Sequence, residues 1–240
     1  MIAAVSYGEL SAMMPNAGGQ YVYLKEAYNK LIAFLFGWSF FAVIQTGTIA
    51  AVGVGFSKFA AYLIPSLSDE NILLDLGAFQ LNAAQIVSII TIVFLTYLNS
   101  RGVKDSKTLQ TVLTIIKILS LFGLIVFGFI LAAKAEVWDV NWTDVWETKS
   151  YNLDTKQWTP IAGTALLAGI SAAMVGSLFS SDAWNGVTFI AAELKNPKRN
   201  VGLSLFLGTF IVTIIYVLTN LMYLAVIPLE EIATAKSDRV

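Results

Sequence analysis

The chain has 240 residues, 57% hydrophobic and 13% charged, with a formal net charge of −1 and a mean hydropathy of +0.71. A soluble domain is about 45–50% apolar and about 25% charged, so this composition describes an all-α polytopic membrane protein, and without a basic cluster nothing points to nucleic acid. It holds neither cysteine nor histidine, which excludes disulfides, thiolate and imidazole metal sites, a Cys nucleophile and a Ser-His-Asp triad, so no enzyme, metal or cofactor is expected.

Met1 to Val5 is apolar, but Glu9 and Pro15 follow too soon for a full span. The stretch 1–14 reads as the remainder of a helix, and both ends are expected to lie inside a longer protein. Pro15-Asn-Ala-Gly-Gly19 is a loop, and Tyr21 to Lys30 is short and amphipathic. A second span is expected over 31–64, where Ala51-x-x-x-Gly55 forms a small-residue face suited to close helix contact. Residues 65–80 form an acidic loop with Asp69, Glu70 and Asp75, and Lys58, near the end of the preceding span, is expected to snorkel. The third span is 81–98 and the fourth 109–133, separated by Arg101, Lys104 and Lys107. A polar loop over 134–159 carries Trp138, Trp142, Trp146 and Trp158, as an element lying at the membrane–water interface would. The fifth span is 161–194 and the sixth 201–227, ended by Pro228. All belong to one partial transmembrane region over 1–240.

Charge fixes an expected orientation. Lys25 and Lys30, then Arg101, Lys104 and Lys107, then Lys195, Lys198 and Arg199 fall in alternate short loops. By the positive-inside rule, the loops near 15–30, 99–107 and 195–200 are cytoplasmic, in the plasma or inner membrane of a cell. The acidic residues of the intervening loops, Asp144 and Asp154 among them, fall on the other side.

The fifth span is too long. The apolar run from about Ile161 to Ala192 exceeds the ~20 residues that cross ~30 Å of hydrocarbon. Ser180-Ser181-Asp182 interrupts it, and Ser and Asp compete with the helical hydrogen-bond ladder. The run is either one long tilted helix with a polar patch facing its neighbours or, the favoured reading, a helix discontinuous near 180–184 with a carboxylate at the break, the sequence pattern of a transporter binding site. Asp182 either caps the second half, contacts a ligand or pairs with Lys117, the other deep charge. Lys117 needs a partner, a cavity or a depressed pKa to lie in the membrane, or snorkels out of it. Phe179 and Trp184 flank the break, where Phe179 packs or serves as a lid. Glu193, close to Lys195, Lys198 and Arg199, reads as a structural or gating ion pair, and Glu9 reads the same way.

Leu178-Phe-Ser-Ser-Asp-Ala-Trp-Asn185, with Ala192-Glu-Leu-Lys-Asn-Pro-Lys-Arg-Asn200, resembles the sixth helix and following loop of the amino acid–polyamine–organocation superfamily, in its L-type amino acid transporter branch. The usual pattern there is Phe-Ala-Tyr-Gly-Gly-Trp-Asn. Ser6-Tyr-Gly-Glu-Leu10 through Met14-Pro-Asn-Ala-Gly-Gly-Gln-Tyr-Val-Tyr23, Asn99-Ser-Arg-Gly-Val103 and Thr114-Ile-Ile-Lys117 resemble other parts of that branch in the same order. The resemblance covers the chain as helices two to seven of twelve.

The resemblance implies part of a LeuT-like inverted-repeat fold with about six transmembrane helices here, and secondary transport of an amino acid by exchange or proton coupling. It implies substrate contact at Phe179, Ser180, Asp182 and Asn185, an aromatic lid at Phe179 and coupling through Lys117; the gating or structural parts expected of Trp184, Glu193 and Glu9 rest on their own positions. The implied partners are a small-molecule amino acid and the lipid bilayer, and a partner subunit is left open. Ser181 and Asp182 depart from the usual Tyr-Gly. If Asp182 faces the pocket, a polyamine or organic-cation substrate is the alternative. Helix one and the later helices are absent from this stretch, so the chain alone is expected to be an inactive fragment of the carrier.

Overall fold

The computed structural model describes residues 1–75, 77, 80–100, 103–143, 146–152, 155 and 157–234, the side chains at 103–106 excepted. Arg101, Gly102, Asp144, Asp154, Lys156 and the side chain of Lys104 therefore lie outside the described residues. Two compact units are formed, Met1–Gln20 with Ile116–Val240, and Tyr21–Ile115. Five described helices are long and apolar enough to cross a membrane. The helix at the start of the chain, α1 (Ile2–Met13), is shorter.

The unit Tyr21–Ile115 holds most of α2 (Gln20–Ala27) and then α3 (Lys30–Ser39). Asn29 starts α3 as an N-cap, its side-chain oxygen accepting from Ile32 N–H at 3.0 Å. A π-helical turn, Phe40–Gln45, carries α3 into α4 (Thr46–Leu63). Thr46 Oγ1 donates five residues back to the Phe41 carbonyl at 2.9 Å, filling the widened turn. The close contact of α4 with α5 (Ala83–Ser100) uses a different face from the expected one. Gly53 and Ser57 are buried there, Gly53 lying against Ser88 and Ile92, while Gly55 meets nothing within 4 Å among the described residues. Ser57 and Ser88 bring their hydroxyls to 2.7 Å, and both also reach a carbonyl of their own helix at 2.9 Å. Two hydroxyl protons cannot fill all three contacts at once, so one serine gives up its own carbonyl to donate across, which ties the helices. The acidic loop contains a small hairpin, β1 (Ile72–Asp75) on β2 (Gln80–Asn82). Lys58 pairs with Asp69 at 3.6 Å, an exposed pair worth about 0–1 kcal/mol.

Along the sequence, α6 (Val103–Phe127) leads into a π-helical turn, Gly128–Ala132. That turn and α7 (Ala135–Trp142) both pack on α9 (Pro197–Val226). Trp138 and Trp142 pack against each other on α7, ring centroids 5.2 Å apart and planes tilted by 38°. A second hairpin follows, β3 (Lys149–Asn152) on β4 (Gln157–Pro160), with Tyr151 opposite Trp158. Loss of hydration first, and the neighbouring Glu230 carboxylate second, hold the Tyr151 phenol above its usual pKa of 10.0.

The C-terminal end of α9 shows how side chains complete a backbone account. Pro228 has no N–H to offer the Leu224 carbonyl four residues back. Asn141 of α7 supplies the missing donor. Its Nδ2 donates to Leu224 O at 2.8 Å and Ile227 O at 2.9 Å, and its Oδ1 accepts from Leu229 N–H at 2.9 Å. Lys134 N–H donates to Ala225 O at 3.0 Å. Leu229 opens the short helix α10 (Leu229–Thr234). Asn141-Trp-Thr143 matches the N-glycosylation acceptor pattern, yet its amide is buried and fully used in this clamp.

The core of the larger unit lies where α1 crosses α9. Gly8 faces Gly202, and a Cβ built on Gly8 would stand 3.0 Å from the Gly202 Cα. Ala4, Ala191, Val201 and Leu205 are buried around that crossing, with Tyr7 and Trp184 packed against them. Glycines at the crossing let two backbones approach, which is how helices associate where lipid removes the hydrophobic gain.

Candidate functional site

The site begins where α8 (Gly163–Ser180) ends. Its last turn is rich in hydroxyls that bond back to the backbone. Ser177 Oγ donates to Met174 O at 2.9 Å and Ser180 Oγ to Ser177 O at 3.1 Å. Residues 181–185 are a chain of turns, and a 3₁₀ segment, Gly186–Glu193, resumes the path. The helix is therefore discontinuous near 180–184, as its sequence implies. Ala183 takes φ 60°, the left-handed region that a side chain resists by about 1–2 kcal/mol. It stands where the resembled pattern has glycine.

The carbonyls at the break divide into used and unused. Phe179 O accepts from Asp182 N–H at 3.2 Å and Ala183 O from Gly186 N–H at 3.0 Å. Ser180 O accepts from the Tyr216 hydroxyl of α9 at 2.9 Å. Among the described residues, the Ser181 and Asp182 carbonyls accept nothing. A cavity of about 610 Å³ opens beside them, between the break, the start of α1 and the middle of α9. Ser180, Asp182 and Trp184 line it, and no described Lys or Arg does. An α-helix C-terminus, two free carbonyls and a carboxylate all present negative or acceptor character, so the arrangement suits a cationic donor such as an ammonium group.

The remaining sequence candidates take various places. Asp182 makes no side-chain hydrogen bond or ion pair with a described residue, and the cap position of the following segment is Asn185, without a side-chain cap bond. The capping expectation for Asp182 is thus corrected: the break is wider than one residue, and the 3₁₀ segment starts four residues beyond it. Phe179 is 55% exposed and, like Asn185, outside the cavity lining. The Asn185 carbonyl instead receives Thr188 Oγ1 at 2.8 Å. Trp184 packs edge-on to Tyr7, centroids 5.1 Å apart. Lys117 lies exposed on α6, and Glu9 and Glu193 are exposed as well. Among the described residues none of these three charges forms an ion pair, so the expected Glu193 bridge to Lys195, Lys198 or Arg199 and a Lys117–Asp182 pair are not formed.

Two features were not singled out in the sequence. The first is a polar face on α9. Thr209, Thr213, Tyr216 and Asn220 follow i, i+4, i+7 and i+11 through an apolar helix, and the first three line the cavity. That spacing is a legible signal for one helix face. The second is the role of the Gly18-Gly19 loop. Gly18 N–H donates to Phe189 O at 3.1 Å. Gly19, at φ +49°, lies so close to the 3₁₀ segment that a Cβ would be 2.5 Å from Thr188 Oγ1. Gln20 then reaches back to the Tyr7 hydroxyl at 2.7 Å, so the loop seats the second half of the broken helix.

A multi-pass α-helical membrane protein with a helix interrupted beside a cavity is the class that these features define. The chain belongs to the amino acid permease family, which matches residues 1–239, and the superfamily resemblance of its motifs is upheld. It is similar to the b(0,+)-type amino acid transporter 1 of Homo sapiens, 27% identical over 263 residues, covering 100% of this chain and 44% of the relative. The Asc-type amino acid transporter 1 of Mus musculus is 23% identical over 240 residues, covering 100% and 41%. The serine/threonine exchanger SteT of Bacillus subtilis (strain 168) is 25% identical over 234 residues, covering 98% and 46%. The chain thus spans less than half the length of these relatives.

Proposed function

We propose that the protein containing this chain is a secondary active amino acid transporter working by alternating access, with the break at 181–185 as part of its substrate site. The observation that carries this reading is the acceptor-lined cavity, where the free Ser181 and Asp182 carbonyls and the Asp182 carboxylate border about 610 Å³ of space. A substrate ammonium fits that chemistry, and the side chains of Phe179, Ser180 and Asn185 complete the proposed contacts, the Ser180 carbonyl itself being taken by Tyr216. Trp184, packed on Tyr7, transmits movement of the break to α1, while Glu9 and Glu193 serve gating at the ends of their segments. The relatives' names support an amino acid as cargo.

The test is uptake of labelled leucine into liposomes that hold the purified full-length protein and unlabelled leucine. Uptake that depends on internal leucine and is competed by neutral amino acids supports the reading, and absence of uptake for leucine, serine and arginine alike overturns it. The unpaired Asp182 at the cavity favours a second reading, a carrier of organic cations. Dominant competition by putrescine, which has no carboxylate, selects that reading.

Lys117 is proposed to act in coupling, as a lysine held inside the core of the full-length protein. Lys117→Ala is expected to reduce uptake at least about tenfold, the scale of one lost charge-assisted hydrogen bond, while the protein still reaches the membrane. Normal uptake with normal pH dependence would defeat the proposal.

The loops near 15–30, 99–107 and 195–200 are proposed to face the cytoplasm of a cell whose plasma or inner membrane holds the protein. Because this stretch has no cysteine, Lys198→Cys in a cysteine-free background is a clean reporter. An impermeant maleimide is expected to label it only after the membrane is opened, and labelling of intact cells would reverse the orientation.

A further inference from the structure

Among the described residues, Tyr216 is where α9 touches the break through a hydrogen bond. Its hydroxyl donates to the Ser180 carbonyl at 2.9 Å, the terminal carbonyl of α8 and one of the orphan acceptors that a helix end leaves. Together with Ser181 and Thr213, it lines both the 610 Å³ cavity and a shallower groove of about 360 Å³ that continues along α9 past Asn220. The phenol therefore borders both spaces and is hydrogen-bonded to the end of α8 at the break.

We propose that Tyr216 is a positioning residue for ligand capture: by holding the Ser180 carbonyl, it assigns an incoming ammonium to the Ser181 and Asp182 carbonyls and keeps the empty break from offering a third acceptor. The inference rests on the transport reading above. Removing the hydroxyl leaves the Ser180 carbonyl without its protein donor in the free protein, a loss of about 1 kcal/mol. A bound ammonium then satisfies it, so ligand binding gains what the empty state has lost. Tighter holding of substrate without matching gain in the moving state slows turnover.

The experiment compares full-length unaltered protein with Tyr216→Phe in liposomes, using labelled leucine, with the protein inserted in the membrane quantified in each. The expected result is a KM lower by about fivefold with a lower maximal rate. Inhibition by 4-methylpentanoate, which has the leucine side chain and carboxylate but no donor in place of the ammonium, should not change. A KM that is unchanged or raised overturns the proposal, as does an equal shift for 4-methylpentanoate. If the phenylalanine variant does not reach the membrane, Tyr216→Gln, which keeps a donor, is compared with Tyr216→Leu, which does not. The KM shift then belongs to the leucine variant alone, and a shift shared by both overturns the proposal. Failure of the transport reading is visible separately, as absent uptake by the unaltered protein.

Discussion

Gly8→Leu is expected to separate α1 from α9 and to remove most of the folded protein. The crossing leaves no choice of rotamer. Even a methyl group on Gly8 would stand 3.0 Å from the Gly202 Cα, a backbone atom that cannot turn aside. Leucine adds three more carbons, so the helices must move apart by ångströms. That movement opens the contacts of Ala4, Ala191, Val201 and Leu205, which in lipid are held by close packing and dispersion. The loss is about 3 kcal/mol or more, against about 1 kcal/mol for Gly8→Ala, where a few tenths of an ångström suffice. Thermal unfolding of the detergent-solubilised full-length protein, followed by size-exclusion chromatography, measures both. Equal midpoints for the alanine and leucine variants would refute the close crossing.

Asn141→Ala is the second large effect. One side chain satisfies two carbonyls and one N–H where Pro228 interrupts the ladder. Alanine leaves all three without partners, at about 1 kcal/mol each or more in a buried setting. The expected loss is about 3 kcal/mol, with faster hydrogen exchange at Leu229. Asn141→Asp discriminates the mechanism. It retains the acceptor for Leu229 but offers no donor to the Leu224 and Ile227 carbonyls, and its charge faces them. It should therefore be at least as harmful as alanine. An aspartate variant as stable as the unaltered protein would remove the clamp from the account.

Several parts of this arrangement were legible residue by residue. Ser180-Ser181-Asp182 marks the break because hydroxyl and carboxyl groups within an overlong apolar run compete with the helix ladder, a local effect. The Trp-rich stretch 134–159 announced an element apart from the spans, and it holds α7 and the β3–β4 hairpin. The small-residue face of α4 was misplaced by two positions. Ala51 and Gly55 are as small as Gly53 and Ser57, and only the approach of Ser88 and Ile92 on α5 selects between the faces. Asp182 looked like a cap because Asp before an apolar run usually is one. The chain spends 181–185 on turns first, with Ala183 at positive φ, and nothing local prescribes that length.

Composition and periodicity alone determined that this chain belongs in a membrane, that His- and Cys-based chemistry is closed to it, and that one overlong apolar run has a weak point at Ser180-Ser181-Asp182. These follow from how many apolar residues fit across a bilayer and from which side chains disturb a helix. Only the tertiary structure decided which carbonyls at the break stay open, that Tyr216 takes the one from Ser180, that Asn141 completes α9, and that Gly8 meets Gly202. Each of those pairs residues from helices far apart in the chain. The partner of a freed backbone group is set by which side chain arrives beside it, and that is a property of packing.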